Sequence, residues 1–338
     1  MIKLIVLFLI VGCAQVTTLN MKKHQFGVLP TRIIWFQIAG LEEEHIALLR
    51  FSESGDRRTS FEDNICIGKT WAYNSYELRT SPQAGFISEI TGKKNVKNTC
   101  EDANLRPIWN YLSGNGYNTG ILESGATPEQ SIVSLGQCGE KGLVFLSSLY
   151  LWLKRQPTAG DETYSSSEAI TLKPNQLIFD RSCGAKICTS SLFEDFRAIY
   201  SRFSKASHKN LFIVRDFSYL EALEKKDFAR AREILSDIEK TYEVANKLTE
   251  NGSDHLVLLT TASSRYIDLP NQGKDWYEFD KNFKNAEVKK SKLTNLVIAN
   301  GVRAENFCGM YEDYQIFERI LSGPKQQGHE LMIINPFK

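Results

Sequence analysis

Imidazole is scarce in this chain. Its 338 residues include only five histidines, His24, His45, His208, His255 and His329. A metal centre that gathers several histidines has little to draw on. Charge of one sign is missing too: 41 basic side chains face 40 acidic ones, for a formal net charge of +1. No basic stripe marks a nucleic-acid surface, so nucleic acid is not an expected partner. The one cationic cluster, Lys289-Lys290-Ser291-Lys292, reads as a solvated loop. There is no internal repeat and no long linker. What remains is a globular composition, 42% hydrophobic and 24% charged, in a chain long enough for one large domain or two ordinary ones.

The longest apolar run near the start, Leu4 to Val11, is too short to span a bilayer as a stable helix. It follows Lys3 and ends at Ile10-Val11-Gly12-Cys13, which resembles a bacterial lipobox. That resemblance implies cleavage before Cys13 and a diacylglycerol on its thiol, so the membrane is an expected partner. The rival is an ordinary secretory signal with a chance cysteine. In Gram-negative cells the sorting rule that goes with a lipobox takes Ala14, in place of Asp, as an outer-membrane address. Residues 1–12 are therefore expected as a lipoprotein signal peptide, 13–31 as a tether and 32–338 as one domain in the cell envelope.

Without Cys13, six cysteines remain, and an exported chain meets an oxidising compartment. The stretch CGAKIC closes a small loop, so Cys183–Cys188 is the first expected disulfide. No histidine flanks this pair at zinc-site spacing. The connectivity of Cys66, Cys100, Cys138 and Cys308 stays open. Cys66 and Cys100 bracket a loop that a disulfide between them would pin.

Strands and helices alternate along the rest. Ile33 to Ile38 is a nearly unbroken apolar run that reads as a central parallel strand. Asn118–Leu122, Leu177–Asp180, Leu211–Val214, Leu256–Leu259 and Leu296–Ala299 read as further strands. Pro107–Gly116, Leu143–Leu153, Ser191–Ser204 and Tyr314–Leu321 read as helices, and Ala159–Ser167 as an exposed loop. The clearest helix is Phe228–Leu248, with Phe228, Ala231, Leu235, Ile238, Tyr242, Ala245 and Leu248 on one stripe. This order predicts an α/β fold, a mainly parallel central sheet with helices on both faces.

Several segments, in order, resemble the alkaline phosphatase superfamily, which includes sulfatases and phosphodiesterases. IIWFQIAGL is similar to its first strand, which usually ends in Asp-Gly. TSPQAGFISEITGKK, Thr80 to Lys94, resembles its nucleophile loop. PIWNYLSGNGYNTGILES resembles the helix and strand that follow. The helix from Phe228 and the strand to Thr261 resemble the late unit whose tip usually reads Asp-His. GVRAENFCGMYEDYQIFERIL is similar to the carboxyl-terminal segment Gly…Ala-Glu-x-Phe-x-Gly…Ile-Phe.

The resemblance implies two divalent cations, usually zinc, held by Asp and His at strand tips and activating a Ser or Thr nucleophile. Here Ala39 stands at the first ligand position, Ala262 and Ser263 at the Asp-His pair, and Lys290 or Ser291 near the last histidine. Alanine offers no ligand atom. The implied protein is an alkaline phosphatase-like pseudoenzyme without a cofactor, binding or scaffolding an envelope protein or ligand. The alternative is a phosphoric or sulfuric ester hydrolase with Thr80 or Ser81 as nucleophile. It would need zinc or another divalent metal on relocated ligands from Glu42, Glu44, His45 or Asp268. Thr80 and Ser81 also read as a helix cap beside Pro82, and Glu42–His45 as an acidic helix start. A third reading is a structural protein that assembles through an exposed apolar patch.

Overall fold

The computed structural model describes residues 30–50, 58–184, 188–250, 254–270, 273–284 and 286–321. Cys13, the signal peptide and nearly all of the tether lie outside the described residues, as do His24, His329 and the side chain of Lys290. Among the described residues no helix is long and apolar enough to cross a membrane.

Twelve strands are present among the described residues: β1 (Arg32–Ala39), β2 (Cys66–Trp71), β3 (Asn118–Ser124), β4 (Leu149–Lys154), β5 (Glu162–Tyr164), β6 (Gln176–Asp180), β7 (Asn210–Asp216), β8 (His255–Ala262), β9 (Arg265–Asp268), β10 (Glu287–Ser291), β11 (Thr294–Gly301) and β12 (Gly309–Glu312). Ten form one sheet in the order β12-β2-β11-β8-β1-β7-β3-β4-β6-β5, and β9 and β10 form a separate hairpin. Within the large sheet only the pairings of β11, with β2 and with β8, are antiparallel. The expected mainly parallel sheet is what the chain forms.

Helices α1 (Ile46–Arg50), α2 (Pro82–Thr91), α3 (Ile108–Ser113), α4 (Glu140–Phe145), α5 (Leu192–Ala206), α6 (Ser218–Glu224), α7 (Phe228–Glu250), α8 (Gly273–Asn282) and α9 (Gln315–Leu321) cover it. One face packs Phe36, Phe212 and Val257 against α5 and α7. The other packs Ile33, Trp35 and Ile213 against α2, α3 and α9. With both faces covered, the inner strands are apolar on both sides, which is why β1 and β8 read as continuous runs. Ser191 and Glu194 form a capping box that starts α5. The stripe on α7 is buried from Phe228 to Ala245.

Some expectations need correction. Leu143–Leu153 is not one helix: α4 ends at Phe145, Ser148 takes a left-handed turn, and β4 follows. A short apolar run buried on both sides cannot be told from a helix by periodicity. Ala159–Ser167 contains the edge strand β5, whose Tyr164 is buried. β2, β9, β10 and β12 had no counterpart in the pattern, and most of the cationic stretch expected as a loop, from Lys289, lies in β10.

Cys183–Cys188 is bonded. Cys66 and Cys100 are not partners: Cys66 pairs with Cys308 and Cys100 with Cys138. The reason is register. β12 runs parallel to β2 with Gly309 opposite Gly68, which sets Cys308 beside the start of β2. Cys100 opens a turn that packs against Ile132–Gln137, just before Cys138.

The Cys66–Cys308 bridge spans 242 positions and the Cys183–Cys188 bridge only 5. Replacing both Cys66 and Cys308 by Ala is expected to lower stability by about 2–4 kcal/mol, and the short-loop pair by less. Urea midpoints of the two double variants check the order.

Candidate functional site

Ligands in open α/β sheets bind beyond the carboxyl ends of the strands. At the tips of β1 and β8, Ala39 and Ala262 lie side by side in register, both fully buried. Phe86 of α2, Phe217 and Leu220 of α6 close over them as a separate apolar cluster. The Phe86 and Phe217 rings meet edge to face at 5.6 Å. The closure is tight. A Cβ added to Gly85 would lie 3.0 Å from the Cβ of Ala262, and one added to Gly40 would lie 3.0 Å from Leu220 Cδ1. Ser263 sits in a left-handed turn, and its Oγ accepts from Arg265 at 3.0 Å.

Thr80 and Ser81 stand at the start of α2. Ser81 is its N-cap and accepts from the Ala84 amide at 3.3 Å, with Pro82 in the first turn. Thr80 is buried and donates to the Ala72 carbonyl at 3.3 Å.

Beneath α2 runs a buried polar band that the sequence reading missed. Arg215 of β7 donates to Glu123 at 2.9 Å and to Gln83 Oε1 at 2.5 Å. Its guanidinium faces the rings of Phe86 and Phe217. Glu123 also accepts from the Ser131 hydroxyl and the Ile132 amide. Glu89 accepts from Gln37 at 3.0 Å and Thr260 at 2.7 Å, and burial pushes its carboxyl well above the usual range. The available signal was three polar residues, Gln37, Glu123 and Arg215, interrupting apolar strands near their carboxyl ends.

Glu42 to His45 do start a helical segment: a 3-10 turn over Glu43–His45 that leads into α1. Lys69 reaches both Glu42 (3.4 Å) and Glu43, while Lys292 lies 3.6 Å from Glu42 and 3.8 Å from Glu44. Burial pushes Glu42 up to about 7, aided by Glu43 and opposed by the two lysines. Burial works against Glu43 as well, but its bonds to Glu42 and Lys69 hold it down at about 2. The pair shares a proton, carried by Glu42. Burial drives the His45 imidazole down to about 3, so it is neutral, with Nδ1 3.0 Å from the Tyr219 hydroxyl.

Several solved structures share this arrangement of strands and helices. The alkaline phosphatase of the Antarctic bacterium TAB5 superposes with a TM-score of 0.68 at 15% identity, over 88% of this chain and 98% of that one. The chain has an alkaline phosphatase-like fold. The Thermus thermophilus alkaline phosphatase gives a TM-score of 0.67 at 11% identity, over 89% and 92% of the two chains. The cold-active alkaline phosphatase of Shewanella sp. gives 0.65 at 12%, over 86% and 98%. No family model and no curated protein matches the chain.

The metal pair implied by an alkaline phosphatase-like fold does not fit the residues present. Two alanines and an apolar lid stand at the tips. Glu42, Glu43 and Glu44 are already engaged with the ammoniums of Lys69 and Lys292. His45 is packed against Tyr219. His255 begins β8, far from its tip, and His208 is exposed. Asp268 pairs with Lys289 at 2.5 Å on the separate hairpin. Both carboxylate oxygens of Asp216 accept from Ser218, and one also accepts from the Tyr219 amide. Among the described residues one cluster, Asp180, Cys183 and Cys188, brings three potential ligand residues together, but its cysteines are oxidised to a disulfide.

Beside the closed tips a cleft of about 1170 Å³ opens at the carboxyl ends of β3, β4 and β7. Its floor is organised by Lys154, which donates to Asp180 (3.1 Å), Asp195 (2.5 Å) and the Ser190 carbonyl (2.6 Å). Burial pushes Asp195 up to about 6 against the pull of Lys154. Both basic and acidic side chains, Arg232 and Asp237 among them, line the cleft.

The raised carboxyl of Glu42 couples folding to pH. The folded state holds this proton more tightly than the unfolded chain does. Its contribution is therefore complete below the ordinary value of 4.5 and is lost as pH rises through about 7. Burial drives Asp313 the same way, also to about 7. Glu42→Gln is expected to flatten the fall in stability across this range. Urea midpoints at either end of it check this, and an unchanged slope overturns the assignment to Glu42.

Proposed function

We propose that this alkaline phosphatase-like protein is a pseudoenzyme, exported and lipid-anchored through Cys13, that binds or scaffolds a ligand or protein in the cell envelope. The observation that carries the reading is the apolar closure of Ala39, Ala262, Phe86, Phe217 and Leu220 over the strand tips. A divalent cation needs several oxygen or nitrogen ligands, and this cluster supplies none. Both hydroxyls already have structural partners, Ser81 accepting from the Ala84 amide as a helix cap and Thr80 donating to the Ala72 carbonyl, and an unactivated hydroxyl is a weak nucleophile. The open cleft around Lys154 is the place where a polar ligand would bind in this reading. The three disulfides among the described residues suit an exported protein. The lipobox-like residues before Cys13 support the anchor, and Ala14 after it supports an outer-membrane address.

The mature protein, dialysed against zinc and magnesium, is expected to retain no stoichiometric metal and to leave p-nitrophenyl phosphate unhydrolysed. Bound metal at one or two ions per chain, with turnover abolished by Thr80→Ala or Ser81→Ala, would restore the hydrolase reading. A second variant tests the closure itself. Ala39→Asp places an unpaired carboxyl in the apolar cluster and is expected to lower stability by about 3–5 kcal/mol. Zinc in the buffer is expected to recover none of that loss in thermal unfolding. Recovery by zinc would mean that the tips are still shaped for a cation.

A further inference from the structure

One face of the sheet runs out of cover before the sheet ends. Helix α7 packs on β8 and β11, burying Leu296 and Ile298. On β2, one strand further out, Lys69 stands opposite Leu296 and Ile67 opposite Ile298. Ile298 is 1% exposed and Ile67 is 56%. Ile67 and Trp71 share this face of β2, and Met310 of β12 lies beside Lys69 in register. The loop after β2 carries two more exposed apolar side chains, Tyr76 and Leu78. Five of the nine large apolar side chains exposed among the described residues belong to this one region.

The segment that borders it is rich in lysine, and carboxylates from elsewhere in the chain pair with it: Lys69 with Glu42 and Glu43, Lys94 with Glu312 and Lys97 with Glu101. Between Cys66 and Asn98 the chain carries five basic side chains and two acidic ones, of which Glu89 is buried. Lys94 sits 4.3 Å from the centre of the Tyr73 ring, and Lys97 5.2 Å from that of Tyr76. Their ion pairs with Glu312 and Glu101 are at the surface, where such pairs contribute little and exchange readily for another anion. Trp and Tyr rings backed by lysines are the chemistry of a membrane–water interface, with the ammoniums reaching lipid phosphates.

The chain outside the structure can bring this face to a bilayer. Pro30 lies seventeen positions after Cys13, a reach of up to about 56 Å when extended. The patch lies three to four strands from β1, about 14–19 Å across the sheet.

We propose that the β2–β12 face rests on an anionic phospholipid bilayer, with Trp71, Tyr76 and Ile67 in the headgroup region and Lys93, Lys94 and Lys97 on lipid phosphates. The proposal rests on the lipid-anchored reading above. The test uses the full lipidated protein in phosphatidylglycerol–phosphatidylcholine vesicles, with plain or brominated acyl chains. Trp35, Trp109 and Trp152 are buried, so Trp71 is the tryptophan open to contact quenching on this face. Brominated lipid is expected to remove roughly half of the Trp71 emission, defined as the difference between wild type and Trp71→Phe. Lys93→Glu with Lys94→Glu, or vesicles without phosphatidylglycerol, are expected to weaken that quenching. The mass of the Cys13 peptide reports the anchor separately. Acylated Cys13 with equal Trp71 emission in plain and brominated vesicles overturns the lipid-facing surface, including the case where a second copy covers it. Quenching with an unmodified Cys13 keeps the surface and overturns the anchor.

Discussion

The carboxyl edge of the sheet depends on one contact, the packing of α2 directly onto the tips of β1 and β8. Gly85 brings the helix backbone so close to Ala262 that even a methyl group between them would be at the limit of tolerance. Phe86, one residue on, meets Phe217 and completes the lid. Dense packing of this kind excludes water, and a cation without water or ligands at that depth has nothing to hold it. The small residues are as necessary as the aromatic ones. A side chain larger than alanine at position 262 would run into Gly85 of α2.

Closing the tips leaves charges behind, and the chain satisfies them internally. Arg215 lies fully buried under the lid, bound to Glu123 and Gln83 and flanked by two rings. Lys154 holds Asp180 and Asp195 together on the floor of the neighbouring cleft. Lys69 and Lys292 hold the Glu42–Glu44 turn. At each place a protein cation stands among carboxylates. Buried pairs of this sort are poor sources of net stability, but removal of one partner strands the other, so they specify a single arrangement. Glu42 and Glu43 show the cost of crowding: two adjacent carboxyls keep one proton between them.

An alkaline phosphatase-like scaffold therefore presents different working surfaces here. The strand tips are sealed, the open volume lies over β3, β4 and β7, and the apolar exposure gathers at the β2–β12 edge. Fold alone does not carry activity, because the chemistry sits in side chains grafted onto it. The disulfide between Cys66 and Cys308 secures that outer edge, where β12 has a single strand neighbour and the least cover.

The sequence by itself determined the inner architecture. β1, β7, β8, α5 and α7 were legible because burial on both faces leaves long apolar runs and a single-sided helix leaves a stripe, both local patterns. Ala39 and Ala262 were legible as non-ligands because a methyl group has no donor atom in any fold. Ser81 was legible as a cap from its place before Pro82. Only the tertiary structure decided the rest. β2 and β12 form by pairing with strands distant in the chain, so their short segments carry little signal of their own. Disulfide partners follow from that register: Cys308 meets Cys66 because Gly309 meets Gly68. The lid has the same character. Phe86 and Phe217 are ordinary apolar residues 131 positions apart. Nothing local shows that they close over the same two alanines, since only the crossing of α2 above β1 and β8 brings them together.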